Sequence, residues 1–85
     1  MNKSQLKNSV KNIVAEILEL SPDEIVSDDV LFTKQYGADS ITGIEILASL
    51  EAEFGIHIPE ELVTEMNSLS TIYALMPKFI EIDQE

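Results

Sequence analysis

Eighty-five residues suffice for one small domain with an adequate but not generous core. Sixteen acidic residues stand against five lysines and no arginine, a formal net charge of -11 that repels nucleic acid and anionic membrane surfaces and favours basic protein patches. With no cysteine there is no disulfide, thiolate nucleophile or thiolate metal site, and with neither a signal-like apolar run nor a bilayer-length stretch a soluble, cytoplasmic, monomeric protein is expected.

Leu6, Val10, Ile13, Val14, Ile17 and Leu18 recur at helical spacing, predicting a long first helix that stops near Leu20. Ser21-Pro22-Asp23-Glu24 then combines a capping serine, a proline suited to the first helical position and a glutamate three residues after the cap, so a short turn through Ile25 or Val26 is expected. Residues 27–38 keep no period and read as a long loop pinned to the core by Val30, Leu31 and Phe32. Helical period returns from Ser40 to Phe54. Ile46, Leu47, Leu50 and Phe54 form one side; Ile41, Ile44, Glu45, Ala48, Glu51 and Ala52 form the other, a mixture suited to a contact surface. Gly55 ends that helix. Ile58-Pro59-Glu60-Glu61 opens a short helix that buries Leu62, Val63 and Met66, and Ser70 or Thr71 caps a last helix that Pro77 should break near Met76. The tail from Ile82 to Glu85 is expected to fray. Phe32, Phe54 and Phe79 are the large pieces of an otherwise aliphatic core. The fold class is therefore all-α: a small four-helix bundle in one domain, 1–85, with three main helices, a short third one and a long loop between the first two.

Chemistry concentrates at Gly37-Ala38-Asp39-Ser40-Ile41. Gly37 permits backbone angles that other residues resist, and Asp39 and Ser40 are both good helix starters, so the serine falls in or beside the first turn. A phosphate esterified there would meet free N–H groups and the positive end of the helix dipole. From these five residues alone, Asp39 or Ser40 as a simple N-cap is the better reading. Nothing basic lies between Gln35 and Pro77 except His57, while Asp39, Glu45, Glu51, Glu53, Glu60, Glu61 and Glu65 all do. Hydrolytic chemistry is disfavoured, because His57 is the only histidine and Ser40 lacks the Gly-x-Ser-x-Gly elbow. Asp28-Asp29 lacks the alternating ligands and central glycine of a calcium loop, and the three glycines are too scattered for a phosphate cradle. The pattern describes a protein that is acted upon.

The order of a long helix, a long loop, Gly37-Ala38-Asp39-Ser40-Ile41, an acidic helix ending in Leu50-Glu51-Ala52-Glu53-Phe54, then Ile58-Pro59-Glu60-Glu61 and a final Ser-Thr-Ile helix resembles the acyl carrier proteins over essentially the whole chain. The resemblance implies a non-catalytic carrier. Ser40 matches the serine that a phosphopantetheinyl transferase loads with the 4′-phosphopantetheine of coenzyme A, whose thiol holds acyl groups as thioesters. Asp39 matches the aspartate that faces the transferase and its magnesium ion. Ile41, Ile44, Glu45, Ala48 and Glu51 match the face read by acyltransferases, ketosynthases and other synthase enzymes with basic docking patches, and Ile58 and Glu60 match the neighbouring start of the third helix. Ordinary partial burial is an equally simple reading of Ile41 or Ile44 taken singly.

The run Ile41-Thr42-Gly43-Ile44-Glu45 departs from the commonest fatty-acid pattern, which continues Leu-Asp after the serine. Thr42 thus replaces an acidic contact used by fatty-acid enzymes, and Gly43 sits inside the helix at a propensity cost of about 1 kcal/mol. The run looks more like carriers of bacterial polyketide and mixed polyketide–peptide pathways, whereas peptidyl carriers more often have Gly-Gly before the motif and seldom so acidic a helix. A polyketide-type carrier is the preferred expectation and type II fatty-acid synthesis the alternative. A small acidic interaction domain without cofactor is the rival from another class.

Overall fold

The computed structural model of the protein describes residues 2–82 except 26, 30 and 38, with Gln35 described by its backbone only. Helix α1 (Lys3–Ile17) starts at Asn2, whose side chain accepts the Gln5 N–H at 2.8 Å while Gln5 Oε1 accepts the Asn2 N–H at 3.0 Å. This reciprocal cap satisfies two donors that a helix start otherwise leaves open. At the other end the Glu19 N–H reaches the Glu16 carbonyl and the Leu20 N–H reaches the Ala15 carbonyl, a closing turn that puts Glu19 at φ 60. Glycine is the usual occupant of that position. The helix therefore ends at Ile17, a little before the expected Leu20.

A 3₁₀ turn follows at Pro22–Glu24, where Glu24 Oε1 accepts the Ser21 N–H at 2.8 Å and the Ser21 hydroxyl at 3.1 Å. Ile25 is already extended and buried, so the turn does not include it, and Val26 lies outside the described residues. The long connection is not all loop: Phe32–Gln35 forms one helical turn, α2. Phe32 supplies the reason, since its side chain is buried and its N–H donates to the Asn67 carbonyl at 2.9 Å. Leu31 is only half-buried, and the anchoring role expected of Val30 falls outside the described residues. Polar bonds do much of the pinning. The Ser70 N–H donates to the Asp28 carbonyl at 2.9 Å and its hydroxyl to Asp29 Oδ1 at 2.6 Å.

Helix α3 (Ser40–Phe54) packs against α1 and against a 3₁₀ segment at Glu60–Glu65. That segment is tighter than the α-helix expected there and starts two residues after Ile58, with Pro59 just ahead of it. Three residues per turn place Val63 above Met66, which is buried, while Leu62 and Val63 are half-buried. Helix α4 (Leu69–Leu75) packs on α1. Its cap is Ser68, not Ser70 or Thr71: Ser68 Oγ accepts the Thr71 N–H at 3.3 Å and Thr71 Oγ1 accepts the Ser68 N–H at 3.1 Å. Ser68 is buried, and this exchange satisfies it. As Pro77 requires, α4 gives way to a 3₁₀ turn at Met76–Lys78. Residues 83–85 of the expected frayed tail lie outside the described residues.

One aliphatic core results: Leu6, Val10 and Val14 from α1, Ile46, Leu47 and Leu50 from α3, and Ile72, Leu75 and Met76 from the C-terminal end. Of the three phenylalanines only Phe32 is fully inside; Phe54 and Phe79 pack at the edge. No strand occurs among the described residues.

Two backbone positions invite opposite exchanges, one toward glycine and one away from it. At Glu19 a left-handed non-glycine residue costs roughly 1–2 kcal/mol, and glycine recovers it less its own entropy of roughly 0.5–1 kcal/mol, so Glu19→Gly should stabilise by about 0.5–1 kcal/mol. At Gly43 an added Cβ meets Val63 Cγ1 at 3.4 Å, an ordinary contact, so Gly43→Ala should also stabilise by about 0.5–1 kcal/mol. Urea unfolding midpoints measure both, and a fall in either case contradicts the corresponding analysis.

Candidate functional site

Asp39 is the N-cap of α3, in extended backbone (φ -117, ψ -172), and its Oδ1 accepts the Thr42 N–H at 3.0 Å and the Thr42 hydroxyl at 3.2 Å. Those two bonds, the backbone one first, hold the Asp39 carboxyl below the usual aspartate range. With the cap taken by Asp39, Ser40 becomes the first helical residue. Its side chain is exposed and its hydroxyl makes no hydrogen bond among the described residues. Gly37, at φ 66 with open space around it, turns the chain into this start, and Ala38 lies outside the described residues.

Beside Ser40 a cavity of about 240 Å³ opens between α2, the start of α3 and the 3₁₀ segment, lined by Phe32, Thr42, Gly43, Ile46, Val63 and Met66 among others. Sequence reasoning did not find these walls. The one available signal was Gly43, whose cost inside a helix marks a position where neighbouring groups come near.

Ile41 and Ile44 are 65% and 43% exposed, and with Glu45 and Ala48, both exposed, they share one face of α3 at helical spacing. Glu60 is exposed and joins Ile44 and Ala48 around a shallow cavity of about 270 Å³. Three expected members of this surface, Ile58, Glu51 and Thr42, are placed otherwise. Ile58 is 1% exposed and belongs to the core, because the extended chain ahead of Pro59 turns its side chain inward; it offers no side chain to a partner. Glu51 is half-buried, with Oε2 accepting the Ile58 N–H at 2.8 Å and lying 3.2 Å from His57 Nδ1. Thr42 is half-buried and its hydroxyl is spent on Asp39.

His57 is exposed beyond the C-terminal end of α3, while Ser40 sits at the N-terminal end of a 15-residue helix about 22 Å long. The pair is too far apart for a shared proton. Among the described residues no cluster of histidine and carboxylates could hold a metal ion, and no helix is long and apolar enough to cross a membrane.

This arrangement presents an exposed serine at the first position of a capped helix. Residues 8–76 match the family model described as phosphopantetheine attachment site. The chain is 33% identical over 72 residues to an acyl carrier protein of Thermosynechococcus vestitus, covering 85% of this chain and 88% of that protein. It is 39% identical over 70 residues to the polyketide-8 synthase acyl carrier protein 1 of Streptomyces avermitilis, covering 82% of each. An acyl carrier protein of a Sulfurovum species is 38% identical over 76 residues, covering 89% of this chain and 95% of that protein. The chain belongs to the phosphopantetheine attachment family, among the acyl carrier proteins. Its cofactor is covalent 4′-phosphopantetheine. The start of α3 fits such a group: a free hydroxyl, the positive helix end for the phosphodiester, and open space on the solvent side.

The Asp39 cap fixes a pH dependence. A carboxyl held lower in the folded state than in the unfolded chain contributes stability that is fully present above the ordinary aspartate range and is lost as pH falls through the lowered folded value. The stability difference between wild type and Asp39→Ala should therefore be largest near neutral pH and shrink in acid. In Thr42→Val the Asp39 titration, followed by carboxyl NMR shifts, should move up toward the ordinary range while the Thr42 N–H bond keeps it somewhat below. An unmoved titration would show that the hydroxyl contributes nothing.

Proposed function

We propose that Ser40 bears the 4′-phosphopantetheine and that Asp39, Ile41, Ile44, Glu45, Ala48 and Glu60 form the surface on which a phosphopantetheinyl transferase, and then acyltransferases, ketosynthases or related synthase enzymes, dock. The observation that carries this reading is the exposed Ser40 hydroxyl, unpartnered among the described residues, directly after a capping aspartate at the start of α3. The transferase joins Ser40 Oγ to the phosphorus beside the pantetheine of coenzyme A, breaking the pyrophosphate bond and releasing adenosine 3′,5′-bisphosphate and the serine proton. When bound, the group supplies a thiol on a flexible arm that holds acyl chains as thioesters.

The chain's own residues supply address and placement. Asp39 presents an ionised carboxylate beside the serine, suited to the transferase's magnesium ion. Helix α3 supplies partial positive charge to the phosphodiester, worth about 0.3–1 kcal/mol when exposed. Ile41 and Ile44 give partners apolar contacts, and Glu45 and Glu60 attract their basic patches, favouring fast and salt-sensitive encounter over tight binding. The apolar cavity beside Ser40 offers shelter to the near end of a tethered chain. The whole chain acts as a single soluble carrier domain, without catalysis of its own.

For the pathway, the Ile41-Thr42-Gly43-Ile44-Glu45 run and the likeness to a polyketide synthase carrier support a polyketide-type system. Fatty-acid synthesis stays as a second reading, since the Sulfurovum relative, named only as an acyl carrier protein, is matched over more of the chain.

Incubation with coenzyme A, magnesium and a broad-specificity transferase should add one phosphopantetheinyl mass to the wild type and none to Ser40→Ala; addition to the alanine variant overturns the assignment. Glu45→Lys should slow that modification several-fold at low ionic strength, with the difference shrinking as salt screens the encounter. An equal rate at low salt removes Glu45 from the surface.

A further inference from the structure

The turn that leaves α3 is organised by one residue. The Glu51 carbonyl accepts the N–H groups of Gly55 and Ile56, the latter at 3.2 Å, and its carboxylate accepts the Ile58 N–H at 2.8 Å with His57 Nδ1 3.2 Å away. Gly55, Ile56, His57 and Ile58 are thus each tied to the same glutamate. Beyond it, Pro59 has no N–H to give. Among the described residues the Ile58–Glu51 bond is the only one by which a backbone donor of residues 57–59 returns to α3.

We propose that Glu51 is a positioning residue for the docking surface: its carboxylate, as a hydrogen-bond acceptor and not as a charge offered to partners, braces the Ile56–Pro59 connection so that Glu60 stays beside Ile44 and Ala48. The side chain of Ile58 is fully in the core, and an N–H drawn in with it must find an acceptor or stay in water. Glu51 provides that acceptor from inside the shallow cavity that Ile44, Ala48 and Glu60 also line, so the brace and the surface are one unit. At 26% side-chain exposure Glu51 is half-buried and its carboxylate is already engaged, whereas Glu45 is exposed. His57, itself exposed, approaches the same oxygen through Nδ1.

The proposal rests on the docking surface described above, and the test separates the two. Glu51→Gln keeps an oxygen acceptor and removes the charge; Glu51→Leu removes both. Amide hydrogen exchange by NMR reads the Ile58 N–H without reference to any partner, and kcat/KM of a broad-specificity transferase with coenzyme A reads docking. Exchange at Val10 and Leu50 reports whether each variant retains the core. The expected result is that Glu51→Leu raises Ile58 exchange at least tenfold relative to those core amides and lowers kcat/KM several-fold, while Glu51→Gln stays within about twofold of wild type in both. His57→Ala should leave Ile58 exchange within twofold. If Glu51→Gln loses as much kcat/KM as Glu51→Leu with Ile58 still protected, Glu51 is a docking charge and the proposal fails. It also fails if Ile58 exchange does not change in Glu51→Leu. Should exchange rise in Glu51→Leu with kcat/KM unaltered, Glu51 braces the turn but the surface beside it does not serve docking, which overturns the docking reading itself.

Discussion

One carboxylate oxygen decides where the working helix begins. By taking both the N–H and the hydroxyl of Thr42, Asp39 Oδ1 makes Asp39 the cap and pushes Ser40 into the first helical position. A start one residue later would make Ser40 the cap and direct its hydroxyl to a backbone N–H, where it would be a bonded group instead of an exposed one. The register of everything downstream follows from that choice. With Ser40 first, Ile46, Leu47 and Leu50 face the core while Ile41, Ile44, Glu45 and Ala48 face outward.

The two ends of α3 are fixed by different means. Its beginning is closed by a side chain three residues away from its partner, a local device that needs little from the rest of the fold. Its end is closed by Gly55 in the left-handed conformation and by Glu51, whose carboxylate has a use only because Ile58 is drawn into the core. The remaining support comes from further away. Ser70 on α4 holds Asp28 and Asp29, and Asn67 holds Phe32, so the connection before the site is tied to the opposite end of the chain. An acidic chain gains from this arrangement, since short hydrogen bonds hold the loop without requiring countercharges that the sequence lacks.

How much was legible in advance depended on the range of the forces involved. Helices α1 and α3, the capped turn at Pro22–Glu24, the stop at Gly55 and the break at Pro77 all follow from interactions within four residues, and the sequence displays them directly. The cap of α4 is local too, yet two serines and a threonine within four positions compete for it. Ser68 prevails because it is buried in extended backbone with Thr71 in reach, while Ser70 is occupied by Asp28 and Asp29. Helix α2 has no periodicity to reveal it, and one buried aromatic ring sets its place.

The sequence by itself determined the class of fold, the place of Ser40 at the start of a helix, the acidity of that helix and the outward placing of Ile41, Ile44, Glu45 and Ala48, because a helix has one period and a cap has a reach of three residues. Only the tertiary structure decided that Ile58 is core, that Glu51 holds a backbone donor, and that Gly43 and Val63 border a cavity beside Ser40. Those facts depend on which surfaces meet when α1, α3 and the Glu60–Glu65 segment pack. An isolated pattern of glutamate and isoleucine reads the same whether its members face water or each other, and packing alone tells the two apart.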